Sequence, residues 1–385
     1  MQLLTAERDD LLKPLLMGSG IVERRHTMPI LANVLISRNG SNVTFTTTDL
    51  EVQIQSETQI DNAEPIEASV TVNIRKLLDI LRALPSSGAV NFVLDGSRLN
   101  IQSGRSRFVL QTVEAEAFPK LKELQDVVHE FTVPSNRLKH LINMTHYAMA
   151  HQDIRYYLNG TLLALEGNVL HVVATDAHRL AHHATEVTPV EVVQTETLGE
   201  LNAGPAPAEI ILPRKTILEL QRMLPDSDEI IRVQIGLGQI RFLFGSVELI
   251  SKLVEGKFPE YKRVIDVQHE HHFEMDRERL LASLVRVAIV NAHEKLRSAK
   301  IQIQNNQMSV STFNSEQENA QEELEVDYAH ELVDLGLNVT YLQEFLQNAK
   351  SHTVRWSVSP QMNTPLLLGV PGEDSFQYIV MPMRI

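Results

Sequence analysis

The sequence predicts an α+β fold made of six copies of one unit: a short strand, an amphipathic helix, then antiparallel strands. Three observations predict it. One phrase, a short apolar run ending at a polar or proline residue and passing directly into a helix, recurs six times. Its helices begin near Ala6, Asn73, Ser135, Arg214, Asp276 and Val339, at spacings of 67, 62, 79, 62 and 63 residues, and so regular a period marks an internal repeat. Between the helices, apolar and polar residues alternate in twos around hairpin dipeptides, which is the pattern of half-buried antiparallel strands.

The six phrases are QLLTAERDDLLKPLL at the start, SVTVNIRKLLDILRAL from Ser69, EFTVPSNRLKHLINM from Glu130, EIILPRKTILELQRML from Glu209, FEMDRERLLASLVRV from Phe273 and LGLNVTYLQEFLQNA from Leu335. In the fourth, at about 100° per residue, Arg214, Lys215 and Arg222 share an arc of about 100°. Ile217, Leu220, Met223 and Leu224 fill the opposite arc. Pro14, inside the first helix, should shorten or kink it. Turns are expected at Asn39-Gly40, Asp95-Gly96, Gly167-Asn168, Gly238 and Asn305-Asn306, dipeptides that tolerate the positive φ of tight hairpins. Consecutive repeats pair into three similar domains, 1–128, 129–269 and 270–385, with polar linkers KELQDVVHE and DVQHEHH at the joins. Phe118-Pro119, Phe258-Pro259 and Met381-Pro382 close the three pairs. The stretch 188–208, rich in Thr, Glu, Pro and Gly, lengthens one spacing and reads as an exposed loop insertion.

With 385 residues and 43% hydrophobic content, the chain has ample core. It contains no cysteine, so disulfides, thiol nucleophiles and thiolate ligands are excluded, as suits a reducing cytoplasm. No apolar run approaches the roughly 18 residues of a membrane span, and the N-terminus lacks a signal-peptide apolar region. Net charge is −14, which by itself argues against a nucleic-acid partner. Its distribution argues otherwise. The helix windows 6–17, 73–84, 135–149, 213–224, 276–290 and 338–350 together carry +6, leaving −20 for the rest. Either the helices hold solvated cations, or the molecule has a basic helical surface and acidic sheets.

Several stretches resemble one family in order and spacing: SGRSRF (Ser103–Phe108), HQDIRYYLNG (His151–Gly160), ATDAHRLA (Ala174–Ala181), SKLVEGKFPEYKRVI (Ser251–Ile265) and the terminal YIVMPMRI. Together they make the whole chain similar to the bacterial DNA sliding clamps, the beta subunits of DNA polymerase III. The resemblance implies a clamp fold, a homodimeric ring whose helices line a central hole around double-stranded DNA and whose sheets form the outer wall. It implies a non-catalytic cytoplasmic processivity factor with no cofactor. Diffuse Lys/Arg attraction to phosphates is independent of sequence and permits sliding, whereas base-edge contacts would arrest it.

Carried over by that resemblance, Arg25, Arg75, Lys76, Arg137, Lys139, Arg214 and Lys215 are expected to face DNA. His151, Gln152, Tyr156 and Tyr157 match a segment near DNA or the loading machinery; half-buried strand packing is the alternative for the tyrosines. The subunit contact is expected to join Lys76, Arg98, Arg105, Arg107, Phe108 and Leu110 of one copy to Ile289, Val290, Glu316, Glu318, Glu322, Glu323 and Glu325 of the other. Exposed ion pairs contribute about 0–1 kcal/mol each. The four apolar residues should matter more, at about 1.5–3 kcal/mol apiece if fully buried.

A groove for short linear peptides of the replicative polymerase, other polymerases and repair proteins is expected from Arg155, Leu158, Thr175, His178, Arg179, Leu180, Pro259, Arg263, Val264, Asn338, Tyr341, Pro365, Met381, Pro382, Met383 and Arg384. Leu, Val, Pro and Met supply an adaptable apolar floor. Arg155, Arg179, Arg263 and Arg384 supply polar contacts at the rim. For Leu158 and Leu180 an ordinary core role explains as much. Ala177 stands where this family often has glycine, so its methyl is expected to narrow one edge.

Other readings of the residues are weaker. His269-Glu270-His271-His272 has metal-ligand chemistry but sits in a polar linker, so no metal is expected there. Asp176 and His178 suggest a hydrolase, yet no GxSxG motif accompanies them. A peptide-binding scaffold that does not encircle DNA leaves the helix charge bias unexplained. Gly256-Lys257 lacks the upstream glycine and following Ser/Thr of a phosphate loop, so an ATP-driven loader must be a separate protein.

Overall fold

The computed structural model describes residues 1–23, 28–61, 65–191, 208–294, 296–361 and 364–384. Seven α-helices lie among them: α1 (Arg8–Gly18), α2 (Ile74–Ala83), α3 (Ser135–Thr145), α4 (Arg214–Met223), α5 (Lys262–Ile265), α6 (Arg277–Val287) and α7 (Val339–Asn348). All but the single-turn α5 start where the six phrases place a helix. Three of those starts are fixed by side-chain caps. Asn73 accepts from the Lys76 amide, Asp276 from that of Arg279 and Asn338 from that of Thr340, each satisfying one of the orphan amides of a first turn. α1 runs on through Pro14 instead of ending there. The Pro14 carbonyl accepts the Ser56 hydroxyl at 2.8 Å, so tertiary contact supports the helix where the missing amide weakens it.

The hairpins form as the dipeptides require. Asn305 and Asn306 both have positive φ, 53° and 60°, between the paired residues Gln304 and Gln307. At Asn39-Gly40 the pairing Asn39↔Asn42 shifts the turn one residue on, to Gly40-Ser41.

The contacts divide the chain into two compact units. One comprises Met1–Asn136, Thr188–Ala206 and Leu218–Leu253, the other Arg137–Val187, Pro207–Ile217 and Val254–Ile385. The division passes through α3 and α4. In the first unit a thirteen-stranded sheet runs without interruption, because Val52–Gln59 pairs antiparallel with Val247–Lys252. In the second, an eight-stranded sheet is made continuous by the pairing of Arg179–Glu186 with Phe376–Val380. A four-stranded sheet, Ser298–Gln304 with Gln307–Phe313, Asn319–Glu325 and Val333–Asn338, completes it. The helices bury their apolar arcs, with Leu77, Leu78 and Leu81 of α2 and Leu342, Phe345 and Leu346 of α7 all buried. α1 packs on α2, and α6 on α7. Of the expected insertion, Thr188–Pro189 forms a short strand against Phe131–Thr132; residues 192–207 lie outside the described residues. The sequence DVQHEHH is not wholly linker, since His271 and His272 begin the strand His271–Asp276.

Candidate functional site

Several of the expected groove residues lie on or beside strands of the eight-stranded sheet. Strand Val169–Thr175 turns through Asp176-Ala177-His178 into Arg179–Glu186. Asp176 fixes the turn: its Oδ1 accepts the amides of His178 and Arg179 at 2.9 and 3.0 Å. The acid is thus a turn cap, and a hydrolytic role for Asp176 and His178 is not favoured. Ala177 occupies the apex with φ 74°, a left-handed conformation that glycine adopts freely and alanine does not. The departure from glycine therefore acts through backbone strain, in addition to any narrowing by the methyl.

The last strand, Phe376–Val380, pairs with Arg179–His183, and its continuation is tied at two points. The Met381 amide donates to His178 O and the Met383 amide to Gly336 O, both at 2.8 Å. Met381 is 42% exposed, Pro382 and Met383 are half-buried, and Arg384 is exposed. Phe118 and Phe258, which close the two earlier repeat pairs, are buried. The third closing phrase keeps its place but leaves a thioether at the surface.

Beneath the tail lies an apolar cluster of Leu162, Ala164, Val173, Leu180, Ile211, Phe258, Tyr261 and Ile379. Tyr157, Val264 and Leu367 pack against it, half-buried. Leu180 belongs to this core and Leu158 is buried too, the ordinary core role that the sequence allows for both. The pairing Leu366↔Val380 sets Pro365 beside Met381, and α5 brings Val264 against the cluster with exposed Arg263 next to it. Exposed Pro259 follows buried Phe258. Burial, with help from the Glu166 and Glu209 charges, pushes the Tyr261 hydroxyl up to about 12. Gly160 has a specific reason to be glycine, because a Cβ there would meet the Leu212 carbonyl oxygen at 2.3 Å.

Arg179 is not a rim cation. Its side chain is 7% exposed and wholly engaged. Nε donates to Asp176 at 3.1 Å, Nη2 to the Tyr147 carbonyl at 2.6 Å, and Nη1 to Glu344 and, at 3.4 Å, to the Tyr378 hydroxyl. The guanidinium lies 4.3 Å from the centre of the Tyr341 ring. Burial opposes its charge, but Tyr378, Glu344 and Asp176 outweigh burial and hold the proton more firmly than usual. Arg179 thereby fixes Tyr341, whose carbonyl also accepts the Tyr378 hydroxyl. The carboxyl oxygen of Glu344 comes from 165 residues away, and no local signal in the sequence announces it. Leu367, packed against the apolar cluster, is likewise not singled out by the local sequence. Arg155 is exposed and forks the Asp153 carboxylate at 3.0 and 2.8 Å, holding that carboxyl down at about 2. Thr175 is buried, its hydroxyl donating to Arg179 O. Asn338 uses its side-chain oxygen to cap α7.

The family relationship is direct. Models of the DNA polymerase III beta subunit match the chain throughout, the N-terminal domain over residues 1–122, the central domain over 132–260 and the C-terminal domain over 262–384. The chain belongs to the family of DNA polymerase III beta subunits. It is 38% identical over 382 residues to the beta sliding clamps of Pseudomonas putida and Escherichia coli K12, covering 99% of each chain. A crystal structure of the DNA polymerase sliding clamp from Pseudomonas aeruginosa with ligand superposes at TM-score 0.91, with 35% identity and full coverage of both chains. The fold is the clamp fold of three similar domains, and the family is one of non-catalytic processivity factors for DNA synthesis.

The other beta-subunit positions can now be placed. In the first unit Arg75 and Lys76 are exposed on the first turn of α2, and Arg75 donates to the Val22 carbonyl at 2.7 Å. Arg25 lies outside the described residues. In the second unit Arg137 is exposed, Lys139, Arg214 and Lys215 are half-buried, and His151 and Gln152 are exposed. The tyrosines are not in a strand but in a single 3-10 turn, with Tyr156 57% exposed and Tyr157 packed on the apolar cluster.

Two strands with open edges among the described residues carry residues expected at the subunit contact. In Ser106–Val113 only Thr112 and Val113 pair on the side away from Arg98–Ser103. Arg105 and Arg107 are exposed there, while Phe108 and Leu110 are half-buried. Arg98, on the neighbouring strand, is exposed as well. Asn319–Glu325 pairs only with Gln307–Phe313. Near it, Ile289 is 69% exposed, and a cavity is lined by Ile289, Val290, Glu316 and Glu318. Glu322 is not a free acid, because Arg286 of its own chain forks it at 2.8 and 2.6 Å; Glu323 accepts from Gln307.

Proposed function

We propose that two copies of this chain close a ring around duplex DNA, slide on it without sequence preference, and tether partner proteins by short peptides. The domain division 1–128, 129–269 and 270–385 belongs to this reading and is supported by the three matched spans. The ring closes where the basic edge Ser106–Val113 of one copy meets the acidic edge Asn319–Glu325 of the other. Open edges of opposite charge are suited to such pairing. Exposed Lys76 and Arg137 act on phosphates without reading bases. An ATP-driven loader opens the ring, and the polymerase binds it.

The observation that carries the tethering role is the Met381–Arg384 segment. It is ordered by two backbone hydrogen bonds yet keeps Met381 and Arg384 at the surface, over an apolar cluster. Peptide side chains of varied shape can pack on thioethers. Titrating a peptide from the polymerase's own C-terminal region tests it. Deleting residues 381–385 should abolish binding and leave the dimer assembled; equal affinity for truncated and intact chains would refute the assignment.

A further inference from the structure

We propose that His140, His183 and Glu373 form a binding site for one divalent transition-metal ion of the zinc class. The three come from separate elements of the second unit: α3, the strand Arg179–Glu186, and the loop before Phe376. His140 Nε2 lies 3.0 Å from Glu373 Oε2, and His183 Nε2 lies 3.6 Å from the same oxygen. All three ligand atoms fall within 4.8 Å of one another. Around a tetrahedral zinc with bonds of about 2.0–2.1 Å, ligand atoms sit about 3.3 Å apart, so small side-chain movements complete the set.

Burial supplies a second observation. The His183 side chain is only 7% exposed, and its Nε2 has no hydrogen-bond partner. Unsatisfied buried polar atoms are costly and uncommon, and a metal ion would satisfy this one. His183 Nδ1 receives the Ala184 amide at 3.0 Å, which places the ring proton on Nε2. An ion binding there displaces that proton. The other tautomer carries it on Nδ1, where it would oppose the Ala184 amide, so the ring must turn toward Ser375 Oγ, 3.3 Å away, which can accept it; a partner on the far ring nitrogen orients a metal-bound imidazole.

His140 and Glu373 are about one-third exposed, so the remaining coordination position faces water. Two imidazoles and one carboxylate favour zinc or cobalt(II) over calcium and magnesium, which prefer all-oxygen sites. The histidines at 269–272 offer no comparable convergence. His269 meets the Pro365 carbonyl, His272 meets Ser357, and His271 stacks on His330. A bound ion would staple α3, which carries Arg137 and Lys139, to the loop that leads into the last strand.

The test is calorimetric titration of zinc chloride into the untagged full-length chain after chelator treatment, with cobalt(II) absorption as a second readout. One equivalent per chain is expected, with cobalt bands typical of low coordination number. His140→Gln and Glu373→Gln should each weaken binding by about tenfold or more, while His269→Gln and His272→Gln leave it unchanged. Both cluster substitutions are at partly exposed positions, and thermal unfolding checks that the variants fold. A wild-type chain that binds no zinc at micromolar concentration, binding that survives both cluster substitutions, or loss confined to the 269–272 variants overturns the proposal.

Discussion

Replacing Arg179 with alanine should destabilise the second unit by about 3–5 kcal/mol, most of it from an orphaned carbonyl and a lost cation–π contact rather than from the ion pairs. The structure shows where that figure comes from. The Tyr147 carbonyl loses a 2.6 Å donor in a buried setting, which costs about 1–3 kcal/mol. The guanidinium over Tyr341 contributes about 1–2 kcal/mol when desolvated. Asp176 keeps two backbone amides and so is not orphaned. Glu344 is 36% exposed and can turn to water, so its pairing adds no more than a surface pair of about 0–1 kcal/mol. A double-mutant cycle with Glu344→Gln should accordingly give a small coupling, well below the total. Trp356 is the only tryptophan in the chain, is fully buried in the same unit, and reports its unfolding by fluorescence in urea. Arg179→Lys keeps the charge but cannot fork, and should recover only part of the loss. A destabilisation below about 1 kcal/mol for Arg179→Ala would refute the view that this side chain holds the turn and Tyr341 in place.

Three further outcomes are expected. Burial first, and neighbouring histidines second, hold His182 and His183 down at about 4 from 6.5. The unfolded chain therefore binds more protons between pH 6.5 and 4, and stability should fall as pH drops through that window, by up to about 3 kcal/mol per histidine; urea midpoints in chelator that stay level from pH 7 to 4.5 would contradict this. Ala177→Gly should relieve the positive φ and raise stability by up to about 1 kcal/mol, measured by thermal unfolding, and a loss would show that the turn is unstrained. Ile289→Ala with Val290→Ala should shift the chain toward monomer with each unit still folded, because an exposed Ile289 beside an open acidic edge has most to bury; an undisturbed dimer in sedimentation at low concentration would remove these residues from the contact.

The repeat, the helix starts and the hairpins were legible because each is a local property. A cap such as Asn73, an apolar arc such as that in α2, and a turn such as Asn305-Asn306 are specified within a few residues of themselves. The candidate groove was legible only in part. Met381–Arg384 stood out by composition, and family resemblance carried over the residues around it. What the sequence could not decide was which cation stays free. Arg155 and Arg179 look alike in a string of letters, yet one is at the surface on a neighbouring Asp153 and the other is buried under Glu344 and Tyr378. That difference depends on the pairing of Arg179–Glu186 with Phe376–Val380, a contact across almost two hundred residues. The same long-range pairing sets Glu373 beside His140 and His183. The tertiary structure alone decided these, because backbone pairing between distant strands is fixed by the global burial of alternating faces and leaves no mark in either local sequence.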